Sequence, residues 1–251
     1  MIRRLRLASG QVLWGYIALH FLNHAFGLIS LDAAEAGLRI AAAVWQSLPG
    51  TVLLYGAFGV HLVLALTGLH QRHTLRLPPL ELIRIVFGLT IPLLLFGHVV
   101  STRVAHDWFG AAAQYRRVVA SLVADGSTGW QLALLAPGWL HGCMGLNVAL
   151  RHRAWFQRAR PWLMTLVILL PLAAAAGFWT MTRDVAALGI GIGGSGTSIA
   201  PALAPTQRAE LGALRVHLLQ TYFVVVAAVL ASRSWRDWRT WRRRSIAGTP
   251  P

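Results

Sequence analysis

Long apolar runs separated by short polar breaks set the architecture of this chain. The first run, residues 8–30, is long enough at about 1.5 Å per residue to cross a bilayer core of about 30 Å. Runs of similar length predict further helices over 51–70, 80–104, 130–150, 162–181 and 209–231. They are too long for buried strands. The expected fold is therefore all-α, a polytopic membrane protein of six transmembrane helices whose first four form a four-helix bundle. Pro92 falls inside the third run and predicts a kink, while Pro137 and Pro171 sit early or midway in the fourth and fifth.

The breaks are informative too. Residues 31–48 are weakly amphipathic, with Asp32, Glu35 and Arg39 on one stripe, and are expected to lie in the membrane interface until Pro49 and Gly50 break them. The segment HDWFGAAAQYRR after the third run is polar. LGIGIGGSGTSIAPALAPT, residues 188–206, describes a flexible loop: no strand is predicted before it and no GKS or GKT occurs in it, so it is no phosphate cradle. After residue 231 the chain becomes SRSWRDWRTWRRRSIAGTPP, in which Trp235, Trp238 and Trp241 interleave with six arginines. That pattern suits an interfacial helix stub followed by a linker, and divides a transmembrane domain, 1–231, from a basic cytoplasmic tail, 232–251.

Composition agrees with a lipid solvent. Apolar residues make up 56% of 251 and charged residues 12%, and mean hydropathy is +0.56. The net charge of +15 comes from 23 basic residues, all arginine, against 8 acids. Because the arginines stand at the ends of apolar runs, they anchor helices to headgroups and do not form a nucleic-acid face. With the amino terminus inside, sixteen of the 23 fall on the cytoplasmic side. Both termini are thus expected to be cytoplasmic, in a bacterial inner membrane. MIRRLRLASG resembles the start of a signal peptide, but the full-length run behind it carries two histidines and is read as a retained helix. The lone Cys143 excludes an internal disulfide, a cysteine-ligated cluster and covalent haem attachment within the chain.

Six of the ten histidines fall within the predicted spans: His20, His24, His61, His98, His141 and His217. An ionisable ring in lipid is costly without a partner, so each is a functional candidate. By helical rise, His24 and His98 lie about 24 and 27 Å above the cytoplasmic ends of their helices, and His61 and His141 about 15 and 17 Å below the outer surface. In an up-down bundle helices one and three are diagonal, as are two and four, and diagonal helices leave room for a macrocycle with two axial imidazoles. The expected pairs are His24 with His98 and His61 with His141, holding two b-type haems non-covalently. His20, one turn before His24, is an alternative ligand or a partner for a propionate or quinone. Gly56, Gly59, Gly97, Gly138, Gly142 and Gly145 lie near these histidines and allow close approach, either to a haem or between helices. His217 has no depth partner and is assigned a structural role. His70, His73, His106 and His152 fall at interfaces. Arg103, His106 and Asp107 cluster at the outer end of the third helix, either as a snorkelling terminus or as a propionate or quinone-headgroup contact.

The stretches LHFLNHAFGLIS, PGTVLLYGAFGVHLVLALTGLHQRHTLRLP, IPLLLFGHVVSTRVAHDWFG and WLHGCMGL resemble the six-helix membrane domain of bacterial class III adenylate cyclases of the CyaC type. That domain is related to the dihaem cytochrome b anchors of succinate dehydrogenase and fumarate reductase. The resemblance implies a quinone-responsive dihaem sensor controlling a cytoplasmic cyclase through a ferredoxin-like domain, with haem roles for His20 or His24, His61, His98 and His141. About 20 residues follow the last helix, so the output would belong to another part of a longer protein or to a separate polypeptide.

The expected partners are lipid, quinone or quinol, such an output domain or protein, and a second copy of the chain. The alternative function is an electron-transferring anchor in a succinate dehydrogenase or fumarate reductase-like complex. A cofactor-free transporter is disfavoured, because none of the eight acids falls mid-membrane. The chain contains no nucleophile–base pair, carboxylate pair or nucleotide loop, so no catalytic residues are assigned.

Overall fold

A computed structural model describes residues 1–72, 74, 76–188 and 203–246. His73, most of the 188–206 loop and the end of the tail lie outside the described residues. Among the described residues all regular structure is helical: α1 Ile2–Ala25, α2 Leu31–Trp45, α3 Leu48–Gln71, α4 Pro79–Val99, α5 Ala105–Phe109, α6 Tyr115–Ala124, α7 Thr128–Leu150, α8 Ala154–Ala187 and α9 Pro205–Ile246. A π-helical turn, Val100–Val104, joins α4 to α5, so that Pro79–Phe109 crosses as one unit of 31 residues.

Five units are long and apolar enough to cross a membrane: Leu48–Gln71, Pro79–Phe109, Thr128–Leu150, Ala154–Ala187 and Pro205–Arg243. The chain is thus a multi-pass membrane protein by helix length and composition. The expected first span, α1, is as long as α3 at 24 residues but is not among the five. Arg3, Arg4 and Arg6, together with Gln11, His20, Asn23 and His24, dilute its apolar character.

Local chemistry explains the element ends. Ser30 caps α2 by accepting from Ala33 N at 3.0 Å, and Ser47 caps α3 by accepting from Gly50 N at 3.2 Å. The expected break at Pro49 and Gly50 is therefore the first turn of α3, where proline has no N–H to waste. Gly110 at φ 65 ends α5 and Gly126 at φ 66 ends α6, both in the left-handed region open to glycine. Within α4, Pro92 cannot donate to the carbonyl of Gly88, which loosens the helix beside a candidate histidine.

The polar segment expected after the third helix contains α6, whose buried Tyr115, Val119 and Leu122 pack on Leu31 and Ala34 of α2 and Phe178, Met181 and Val185 of α8. Glu35 Oε1 accepts from Arg116 N at 2.9 Å, and Asp32 Oδ1 pairs with Arg116 at 2.5 Å. Two members of the expected polar stripe, Asp32 and Glu35, thus tie α6 to α2.

Long-range packing makes a ring: α1 packs on α3, α7 and α8, α4 on α7 and α9, and α9 on α3. The last helix thus fills the gap between α3 and α4, leaving α1 and α4, and α3 and α7, across from one another. Trp139 is 1% exposed, stacks on Trp14 and Phe21 at 5.6 and 5.3 Å, and donates Nε1 to Val167 O at 2.8 Å, joining α7, α1 and α8. Where α1 gives way to a short 3-10 turn it crosses α8 backbone to backbone. A Cβ on Gly27 would meet Gly177 O at 2.5 Å, and one on Gly177 would meet His24 O at 2.2 Å. Such small-residue contacts are how helices associate without hydrophobic drive.

Candidate functional site

The interior histidines face one another in two layers. In the first, the rings of His61 on α3 and His141 on α7 are 6.1 Å apart between centroids and mutually perpendicular. Their outer nitrogens are committed: His141 Nδ1 lies 2.9 Å from Arg84 O, and His61 Nδ1 lies 3.2 Å from Arg6 O and 3.3 Å from Ser9 Oγ. A carbonyl oxygen only accepts, so Nδ1 carries the proton in both rings and each Nε2 keeps its lone pair. Gly88 and Gly10 make the space, since a Cβ at Gly88 would meet His141 Cε1 at 2.8 Å and one at Gly10 would meet His61 Cε1 at 3.1 Å.

The second layer lies ten residues beyond Gly10 on α1 and Gly88 on α4, about 15 Å away. Here His98 on α4 faces His20 on α1, with ring centroids 5.8 Å apart. His98 Nδ1 is held 3.0 Å from Gln131 Oε1 on α7, again leaving Nε2 as the acceptor. His24, the residue expected to pair with His98, is engaged elsewhere. Its Nε2 is 3.1 Å from His20 Nε2, its Nδ1 is 3.2 Å from Tyr115 Oη, and its ring stands edge-on to Phe178 at 5.6 Å. Tyr115 Oη also accepts from Asn23 Nδ2 at 2.9 Å. Burial holds the Tyr115 phenol well above its usual value, so its own proton remains to be donated to His24. The structure therefore sets His20 opposite His98 and ties His24 to α6.

Beside this layer, Arg103 donates Nε to Asp107 Oδ2 at 2.7 Å and a terminal nitrogen to Thr51 Oγ1 at 3.2 Å. Tyr16 stacks on His20 at 5.8 Å and meets Trp45 edge-on at 5.1 Å. Tyr16 and Tyr55 lie within electrostatic reach of Arg103. His106, expected with Arg103, turns away and holds Ala111 O at 2.9 Å. Of the interfacial histidines, His70 Nδ1 meets Ser232 Oγ at 3.2 Å and His152 Nε2 accepts from Arg151 Nε at 3.1 Å.

Gly56, Gly59 and Gly145 have nothing within 4 Å of an added Cβ, whereas Gly142 abuts Trp14 and Gly97 abuts Arg215. The residues that sequence reasoning left out are Ser9, Gly10, Gly88, Tyr16, Tyr55, Asn23, Tyr115 and Gln131. For Ser9 and Gln131 the available signal was a small polar group inside an apolar run.

Among the described residues no group of three or more His, Cys, Asp or Glu side chains gathers to hold a metal ion. An octahedral iron already held by four macrocycle nitrogens needs only two protein ligands, and those are what facing pairs offer. Imidazole–metal bonds of about 2 Å on both faces would put the two ring centroids about 6 Å apart. Both observed separations, 5.8 and 6.1 Å, fit. No protein-family model, no curated protein and no solved structure matches the chain.

Proposed function

We propose that the chain is a dihaem cytochrome b of the bacterial inner membrane, a six-helix redox sensor that responds to quinone and acts on a cytoplasmic, cyclase-type output. The observation that carries this reading is the pair of facing imidazole couples at two depths, with three of the four Nδ1 atoms fixed on oxygens. His61 with His141, and His20 with His98, would be the axial ligands. Arg84 O, Arg6 O and Gln131 orient the rings and hold the tautomer that leaves Nε2 available, the usual work of groups behind a metal-bound histidine. His24 Nε2 lies 3.1 Å from His20 Nε2, so His20 would bind iron by exchanging that contact for the metal, while His24 stays tied through Tyr115 to α6. When bound, the two haems would supply reversible one-electron chemistry, each electron changing the charge inside the bundle by one unit. Arg103, with Thr51, Tyr16 and Tyr55 around it, offers a cationic and hydrogen-bonding corner for a propionate or a quinone headgroup.

Six crossings are supported by which ends meet. A Cβ on Gly68 would touch Arg6 at 3.1 Å, so the start of α1 lies at the C-terminal end of α3. The distal part of α9 reaches that same end, where Arg236 donates to His70 O at 2.5 Å and Arg233 to Arg72 O at 2.8 Å. Both termini then share a side, which requires an even number of crossings, and α1 at about 36 Å is long enough to supply the sixth. The arginines of the two ends make that side cytoplasmic.

Arg233 and Arg236 also favour a sensor over an electron-transferring anchor. They fasten the outgoing helix to the end of α3, which carries His61, so a shift of α3 has a rigid route to the cytoplasm. The testing experiment places a cyclase domain after Pro251 and adds quinone or quinol. Output that follows haem oxidation state supports the sensor. Unchanged output with haems oxidised, reduced or deleted makes the anchor the better account.

A further inference from the structure

The helix that completes the ring is also the one least covered by it. Only 6% of the most apolar stretch of α9 is buried, against 22% in α8. Its inward face is clear: Leu211 is buried, Leu214 and Leu218 pack beside it, and Tyr222 donates to Leu89 O at 2.8 Å. A different face of the same helix carries His217, Gln220 and Thr221, all exposed. None of the three side chains has a hydrogen-bond partner among the described residues.

Depth makes this anomalous. Ser232 and Arg233 contact His70 and Arg72 at the cytoplasmic end of α3 and so mark the membrane edge. Counting back from Ala231 at about 1.5 Å per residue, Gln220 lies about 17 Å into a hydrocarbon of about 30 Å, and His217 about 21 Å in. An amide and an imidazole facing lipid at those depths have no water, and among the described residues no protein group, to bond. The spacing 217, 220, 221, 224, 228, 231, 235 keeps one side of the helix, so the polar group continues through Val224, Ala228 and Ala231 to Trp235. Trp235 stacks on Trp238 at 4.9 Å and is 58% exposed.

We propose that this face of α9 is a homodimer interface, in which the His217–Gln220–Thr221 stripe of one copy meets the same stripe of a second copy about a two-fold axis normal to the membrane. Self-complementarity selects a second copy as the occupant. A glutamine amide is both donor and acceptor, so two Gln220 side chains related by a two-fold satisfy one another in a reciprocal pair, and neutral histidine has the same dual character. Ala228 and Ala231 let the helices approach closely below the polar contact. Arg239 and Arg242 follow on the same side further down, where like charges across the axis repel, so the contact ends near Trp235 and the helices diverge below it. The interface involves none of the candidate haem ligands and stands or falls apart from them.

The test is oxidative cross-linking of the full chain in its own membrane, in a Cys143→Ser background, with single cysteines at Gln220, at Thr221 and, as a control, at Leu219. Leu219 is partly exposed but lies about 100° or more round α9 from His217, Gln220 and Thr221. The expected result is a product of twice the chain mass from Gln220→Cys and Thr221→Cys and at least several-fold less from Leu219→Cys. Native mass measurement in mild detergent should then show a dimer that Gln220→Leu shifts toward monomer. Equal cross-linking from all three positions, products of some other mass, or a monomer that Gln220→Leu leaves unchanged would each overturn the interface.

Discussion

An imidazole whose Nδ1 proton is committed to an oxygen presents its Nε2 lone pair in one direction, and at residue scale a candidate ligand combines that commitment with a facing imidazole. His61, His98 and His141 meet both conditions, whereas His106, held likewise by Ala111 O, faces no histidine ring among the described residues. His20 and His24 share one position, and the geometry divides their roles. His20→Ala is expected to remove one haem per chain and His24→Ala to leave both bound, as counted by pyridine haemochrome assay; the reverse outcome restores His24 as the ligand. Gln131→Leu should keep the haem of the His20–His98 layer but raise its midpoint potential or lower its occupancy, since the Nδ1 proton of His98 loses its acceptor and the ring becomes a weaker donor to ferric iron. An unchanged potential and full occupancy would show that Gln131 does not orient the ring. The positions of these histidines at two depths were legible from helical rise alone. Which of His20 and His24 turns inward was not, because both lie on one face and the choice is made by Tyr115 and Asn23, the first of them 91 residues from His24.

At the scale of elements, apolar run length located five of the six expected spans, because lipid forces the backbone to bond within each helix. It misjudged where helices stop. The first helix begins at Ile2, not at residue 8, and the last continues to Ile246, not to 231. Arginine and tryptophan end a hydrophobic pattern without ending a helix, since neither breaks the backbone ladder. The ten-residue α6 was invisible because its order comes from Glu35 and the buried Tyr115, contacts that no local pattern announces. The crossing of α1 and α8 at Gly27 and Gly177 gives an element-scale prediction. A side chain at either glycine would strike backbone at 2.5 Å or less, and backbone cannot yield as a rotamer does. Gly177→Leu should therefore destabilise the fold by at least about 1–3 kcal/mol, the range of core overpacking, seen as a lower Tm in detergent. Gly56→Ala, with nothing within 4 Å, should leave Tm nearly unchanged. Similar Tm values for the two variants would mean that the crossing is not tightly packed.

For the whole molecule, α9 closes a ring whose other members hold facing histidines, and its arginines fasten the C-terminal end of α3 to the last turns of α9. Topology tests that arrangement: a carboxy-terminal alkaline phosphatase fusion should be inactive and a tag at the amino terminus protected from external protease. Activity at one end and protection at the other would remove α1 from the spans. The central claim, two bis-histidine haems in one chain, is tested most directly by the visible absorption spectrum of the detergent-purified protein, oxidised and then reduced, with haem counted against chain. The account predicts a low-spin b-type spectrum and two haems per chain, falling to one with His98→Ala or His141→Ala. A colourless protein, or fewer than one haem per chain after expression with ample haem, would contradict it.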